Sequence, residues 1–146
     1  MDPLPTAAYR EFEQELSTLL RRARARLLAV ARDVHPDLDA SAYVTLLFIT
    51  THPAPRAADL ADYLGTHKGP VSRQINQLEG LGLLERRPSP DDARAQLLAV
   101  TPQGRQRFEA ARRARSAHLQ QQLGEWDEND VLEVTRLLAR FNALGP

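Results

Sequence analysis

The chain has 146 residues, a length that suits one ordinary domain with a single buried core. It contains no cysteine, which excludes a disulfide framework, a thiolate zinc site and a thiol redox switch. Net charge is zero but unevenly spread: five basic residues against one acidic between 101 and 123 give +4, and one basic against four acidic between 34 and 65 give −3. Eighteen of the 19 basic residues are arginine and Lys68 is the single lysine. That usage suits bidentate phosphate or base contacts, and a GC-rich genome produces the same bias. Residues 1–8 lack a basic run followed by an apolar core, so no signal peptide is expected. No stretch reaches the ~18 apolar residues of a membrane span. The expectation is a soluble cytoplasmic protein.

In chain order, Phe12, Leu16, Leu19, Leu20, Ala23, Leu27 and Val30 recur at steps of three and four and predict a helix over about 7–33. Its length exceeds what a compact monomer of this size can cover, which points to a partner chain. His35-Pro36 breaks it, and Asp39 stands as N-cap of a second helix over about 40–51. Pro53-Ala54-Pro55 forces a loop. A short helix over about 56–64 follows, its start poorly capped by Arg56 and its end marked by Gly65 at C′. After the turn Thr66-His67-Lys68-Gly69, Pro70 belongs to the first turn of a helix over about 68–81. Val71, Ile75, Leu78 and Leu81 are its core face, and Ser72, Arg73, Gln74, Asn76 and Gln77 lie on the other side. Residues 83–87 and 95–100 read as two strands around the turn Pro88-Ser89-Pro90-Asp91-Asp92. Thr101-Pro102 opens an arginine-rich helix to about Leu123, and a last helix begins at Asp127 with Leu132, Val134, Leu137, Leu138 and Phe141 along it. The predicted fold class is mainly α with a small β-hairpin, with no internal repeat.

Two short helices around a tight turn, followed by a hairpin, make a winged helix-turn-helix over residues 56–102. A helix with a polar outer face fits the DNA major groove, and amide and guanidinium groups near its start reach purine edges. Arg73, Gln74 and Gln77 are the candidates for bases, and Lys68 and Ser72 for phosphates. Arg87 and Arg94, near the hairpin tip, are placed to enter the minor groove or clamp phosphates.

The run LADYLGTHKGPVSRQINQLEGLGLLERRPSPDDARAQLLAVTPQGR resembles the winged-helix core of the MarR family of bacterial transcriptional regulators. VSRQINQLEGLGLLERR is similar to the family's recognition helix and its Gly-Leu exit. DDARAQLLAVTPQGR is similar to its wing signature, an Asp-x-Arg followed by a short strand and Thr-x-x-Gly. The resemblance covers nearly the whole chain. It implies one domain over 1–146, with dimerisation helices at 1–35 and 102–146 and a winged helix-turn-helix over 39–101. It also implies Arg94 as the residue reaching the minor groove, held by Asp92 through a charge-assisted hydrogen bond. Where the family has Ser or Thr at the start of the recognition helix, this chain has His67, Gly69 and Pro70. His67 either caps the turn or donates to a phosphate. A small, often aromatic or anionic, effector between the dimerisation helices and the winged helix is a further implication, with Tyr43, Phe48 and His52 near such a pocket.

Other function classes fit less well. His35, His52, His67 and His118 form no i,i+4 pair and no metal-binding spacing with Glu, and there is no Gly-rich phosphate loop, so neither an enzyme nor a cofactor or metal site is expected. A winged helix used as a protein-interaction or structural module without ligand control is the alternative. It calls for aromatic or aliphatic anchors on the outer face of 72–77, where this chain has polar residues. The expected protein is a homodimeric regulator, a repressor, that binds a pseudo-palindromic duplex.

Overall fold

The computed structural model describes residues 6–92 and 94–144. The element order is α1 (Thr6–Val34), α2 (Ala40–Thr51), α3 (Ala57–Tyr63), α4 (Lys68–Gly80), β1 (Leu84–Pro88), β2 (Gln96–Val100), α5 (Pro102–Gln122) and α6 (Glu128–Asn142). This is the predicted mainly α architecture with one antiparallel hairpin. Residues 1–5, on which most of the signal-peptide expectation fell, lie outside the described part. By its internal contacts the chain divides into a unit of residues 1–111 and a unit of residues 112–146.

The core of the first unit comes from almost every element before residue 112. Val30, Ala31 and Val34 close the end of α1; Ala42, Tyr43, Leu46, Phe48 and Ile49 come from α2. Leu60, Val71, Ile75 and Leu78 come from α3 and α4, and Leu84, Leu98 and Val100 from the strands. α2 is apolar on more than one side, which marks a helix buried within a core rather than one lying on it. Its start is fixed locally, since the Asp39 carboxylate accepts from the Ala42 N–H at 2.8 Å. Asp39→Ala is expected to cost about 1 kcal/mol, read as a lower melting midpoint; an unchanged midpoint would rule out the cap as a source of stability.

Both short helices end in Schellman turns. Gly65 (φ 61°) follows α3, where the Gly65 and Thr66 N–H groups donate to the Asp62 and Ala61 carbonyls. Gly82 (φ 69°) follows α4, where the Gly82 and Leu83 N–H groups donate to Glu79 and Leu78. The start of α3 departs from the expected poor cap. Arg56 cannot accept through its side chain, but its backbone N–H donates to the Asp59 carboxylate at 3.0 Å, so the reciprocal half of a capping box is made.

The hairpin register runs from Leu84 opposite Val100 to Pro88 opposite Gln96. Residue 55 adds a contact the sequence did not suggest: the Leu98 N–H donates to the buried Pro55 carbonyl at 2.8 Å, tying the loop before α3 to β2. Thr101 then couples hairpin to helix. Its hydroxyl donates to the Gly82 carbonyl at 2.6 Å and accepts from the Gly104 N–H at 3.0 Å. Arg107 donates to the carbonyl of Val34, a cation at the C-terminal end of α1.

In the second unit, Asp127 caps α6 by accepting from the Asp130 N–H at 2.9 Å. Arg136 donates twice to Glu133 and holds that carboxyl below its ordinary pKa. The pair is fully exposed, so it adds little to stability. α6 has no buried residue at all. No helix among the described residues is long and apolar enough to cross a membrane.

Candidate nucleic-acid interface

α3, the turn Gly65-Thr66-His67, α4 and the hairpin follow one another as a winged helix-turn-helix. Val71, Ile75 and Leu78 bury one face of α4, which leaves Lys68, Ser72, Arg73, Asn76 and Gln77 exposed. Of the residues expected to contact DNA, Lys68 and Ser72 therefore stand exposed in the first turns of α4, and Arg73 lies beside them. His67 takes the N-cap position with extended backbone but makes no side-chain cap bond.

Not every nominated side chain points outward unoccupied. Gln74 is half-buried: its Oε1 accepts from the Thr45 hydroxyl and its Nε2 donates to Ser41 Oγ at 2.7 Å. Gln77 donates to the Asp37 carbonyl at 3.1 Å. Arg87 pairs with Glu85 on its own strand; the pair is exposed and weak enough to exchange for a phosphate. Arg86, which the sequence reading passed over, ties wing to helix by donating to Glu79 at 3.2 Å and to Asn76 at 2.9 Å. Nothing in the sequence announces these partners, because Gln74 and Ser41 are 33 positions apart.

At the wing tip the expected clamp takes a different form. Asp92 Oδ1 accepts from the backbone N–H of Arg94 at 3.0 Å, and the Ala95 N–H donates to the Asp92 carbonyl at 2.9 Å. Asp92 therefore fixes the turn, where a short acceptor two residues back suits an Asx turn, and the bond goes to the backbone of Arg94 instead of its guanidinium. Arg94 is exposed. Ser89, nearly buried, donates its N–H to the Ala95 carbonyl and completes the loop.

Of the three residues expected near an effector, Tyr43 stands apart from Phe48 and His52. Tyr43 is fully buried and stacked on Phe108 with ring centroids 5.3 Å apart. Its hydroxyl has no partner among the described residues. Phe48 is buried and stacks on His52 at 4.0 Å, and both rings meet Tyr63 of α3 at 4.9 and 5.7 Å. These are contacts that pack α2 against α3 and α5. Neither of two clefts of about 400 Å³ is lined by them; the first, about 410 Å³, has Ser41, Arg73, Gln74 and Gln77 among its walls. Among the described residues no three His, Asp or Glu side chains converge as a metal site.

The family model described as MarR family matches residues 37–95. The chain is 30% identical over 130 residues to the uncharacterized HTH-type transcriptional regulator YxaD of Bacillus subtilis (strain 168), covering 89% of this chain and 90% of that protein. Among solved structures, a MarR family transcription regulator aligns with TM-score 0.77 and 25% identity over 94% of this chain and 92% of the other. Streptococcus pneumoniae FabT, solved in complex with DNA, aligns with TM-score 0.81 and 20% identity over 93% and 96%, a likeness of fold.

Proposed function

Because the chain belongs to the MarR family of transcriptional regulators, we propose that it binds a pseudo-palindromic DNA operator as a homodimer and acts as a repressor. The observation that carries this reading is the exposed polar and basic face of α4, Lys68, Ser72 and Arg73, standing next to a wing whose turn presents Arg94. The helix fits the major groove and the turn supplies the cation that a minor groove or phosphate attracts. A DNA complex of FabT, a neighbour in fold, supports the same mode.

Two-fold symmetry supplies the second half-site. A dimer of winged helices presents two recognition helices about one DNA turn apart, so the operator mirrors the protein's symmetry. The dimer itself is supported by exposed apolar side chains on α1 (Tyr9, Leu19, Leu20) and on α6 (Leu137, Leu138), which a partner chain would cover. Dimerisation helices at 1–35 and 102–146 within a single domain are part of this proposal. So is release by a small aromatic or anionic effector. The cleft beside Arg73 supports that part, since an anion there competes with DNA for the guanidinium. A cytoplasmic location follows from the same reading.

Arg94→Ala is the direct test. It is expected to weaken binding to every duplex and to reduce the slope of log affinity against log salt by about 2, about 1 for each protomer of the dimer, measured by fluorescence anisotropy at several salt concentrations. Unchanged affinity and slope would remove the wing from the interface.

A further inference from the structure

α4 is positioned by two kinds of contact. Val71, Ile75 and Leu78 sink one face of the helix into the shared core and set its rotation coarsely, while Gln77 donating to the Asp37 carbonyl and Asn76 accepting from Arg86 add directional contacts on its exposed side. Gln74 is different. Ser41 and Thr45, one turn apart on α2, grip both ends of its amide: the Thr45 hydroxyl donates to Oε1, and Nε2 donates to Ser41 Oγ at 2.7 Å. Thr45 has no exposed surface, so its hydroxyl needs this partner. Hydrogen bonds of this kind are directional and lose strength steeply when bent.

We propose that Gln74 is a positioning residue: gripped at both ends by Ser41 and Thr45, it sets the fine rotation of α4 about its own axis, within what the packed core allows, and so which base edge Arg73 faces. Gln74 does not touch the DNA; it acts through the residue beside it. A rotation of one residue step about a helix axis turns a side chain by about 100°, so even a fraction of that moves a guanidinium off a purine edge, where bidentate geometry is strict. The inference rests on the DNA-binding reading of this face.

The test separates positioning from stability. Gln74→Met alone strands a buried hydroxyl, which destabilises. Gln74→Met combined with Thr45→Val removes both partners and is expected to melt within about 2 °C of the wild type, since matched apolar replacement is close to neutral. The full-length wild type is first used to enrich 24-base-pair duplexes from a randomised pool. Affinities are then measured for the enriched duplex and for a scrambled one of equal length. The double variant is expected to lose about a hundredfold on the enriched duplex, the scale of one mismatched base pair in each of two half-sites. Its affinity for the scrambled duplex and its salt slope should be unchanged. Ser41→Ala, at an exposed position, is expected to lower the same ratio by about threefold with an unchanged melting midpoint, and keeps the test valid if the double variant folds poorly.

Wild-type specificity retained by both variants overturns the positioning role, as does a loss in Gln74→Met that the double variant fully restores. A wild type that enriches no duplex overturns the DNA reading, and the positioning role with it.

Discussion

Gly104→Ala is expected to lower the stability of the full chain by about 3 kcal/mol or more, through overpacking against backbone. A Cβ at this position would sit 2.2 Å from the Leu83 carbonyl oxygen and 2.9 Å from both the Leu83 carbonyl carbon and Val100 Cγ1. No side chain can swing away to relieve that, because the nearest obstacle is main chain. The chain there is also fixed from both sides: the Thr101 N–H donates to the Leu83 carbonyl, and the Thr101 hydroxyl bridges Gly82 and Gly104. The glycine of the Thr-x-x-Gly signature is therefore a close-approach site where the start of α5 crosses the exit of α4. Gly80→Ala is the control. It lies at the end of α4 with nothing within 4 Å of the added carbon, and is expected to gain about 0.5–1 kcal/mol from helix propensity. Thermal melts followed by circular dichroism should move in opposite directions, and equal shifts for the two variants would refute the close-approach account.

The second large effect concerns assembly. Leu137→Asp is expected to convert the proposed dimer to monomers and to abolish specific DNA binding. α6 is a 15-residue helix with no buried residue, although Val134, Leu137, Leu138 and Phe141 recur along it at steps of three, one and three. A helix of this length gains most of its stability from packing its apolar face. Burying one leucine contributes about 1.5–3 kcal/mol, and in a two-fold interface each substitution occurs twice. The loss is then about 3–6 kcal/mol, or roughly two to four decades in the dimer constant, before the cost of desolvating the new carboxylate. Sedimentation should show a monomer for Leu137→Asp and an unchanged species for Arg136→Ala, on the opposite side of the helix. A Leu137→Asp chain that stays dimeric would exclude α6 from the interface.

Much of the fold was legible because its signals are local. Pro36, Asp39 and Pro53 bracket α2, and the structure starts and ends that helix at Ala40 and Thr51. Pro70 falls inside the first turn of α4, and the turn chemistry of 88–92 separates the strands to within one residue of their ends. The candidate site was less legible, because its side chains are assigned by partners distant in the chain. Gln74 and Gln77 looked identical to Arg73 in polarity and spacing, yet their amides meet Ser41, Thr45 and Asp37. Asn76 likewise meets Arg86. Tyr43 and Phe48 could be placed on α2, but which side of an all-round apolar helix faces a cavity depends on what packs against it, here Phe108 and Tyr63. The Asp92–Arg94 pairing was legible as a pair, and its atoms were not, since backbone and guanidinium of one residue are the same letter.

The bond from Leu98 to Pro55 bears on how such a molecule stays dispersed. A two-stranded ribbon has two open edges, and unpaired backbone groups there are templates for strand addition and fibre growth. On one edge, the Leu98 N–H is already taken by a residue that has no N–H of its own to continue a ladder. The other edge strand carries Glu85, Arg86 and Arg87 and ends in Pro88, so charge and proline discourage any incoming strand. The hairpin can stay a two-stranded ribbon at the surface because both of its flanks are poor seeds for polymerisation.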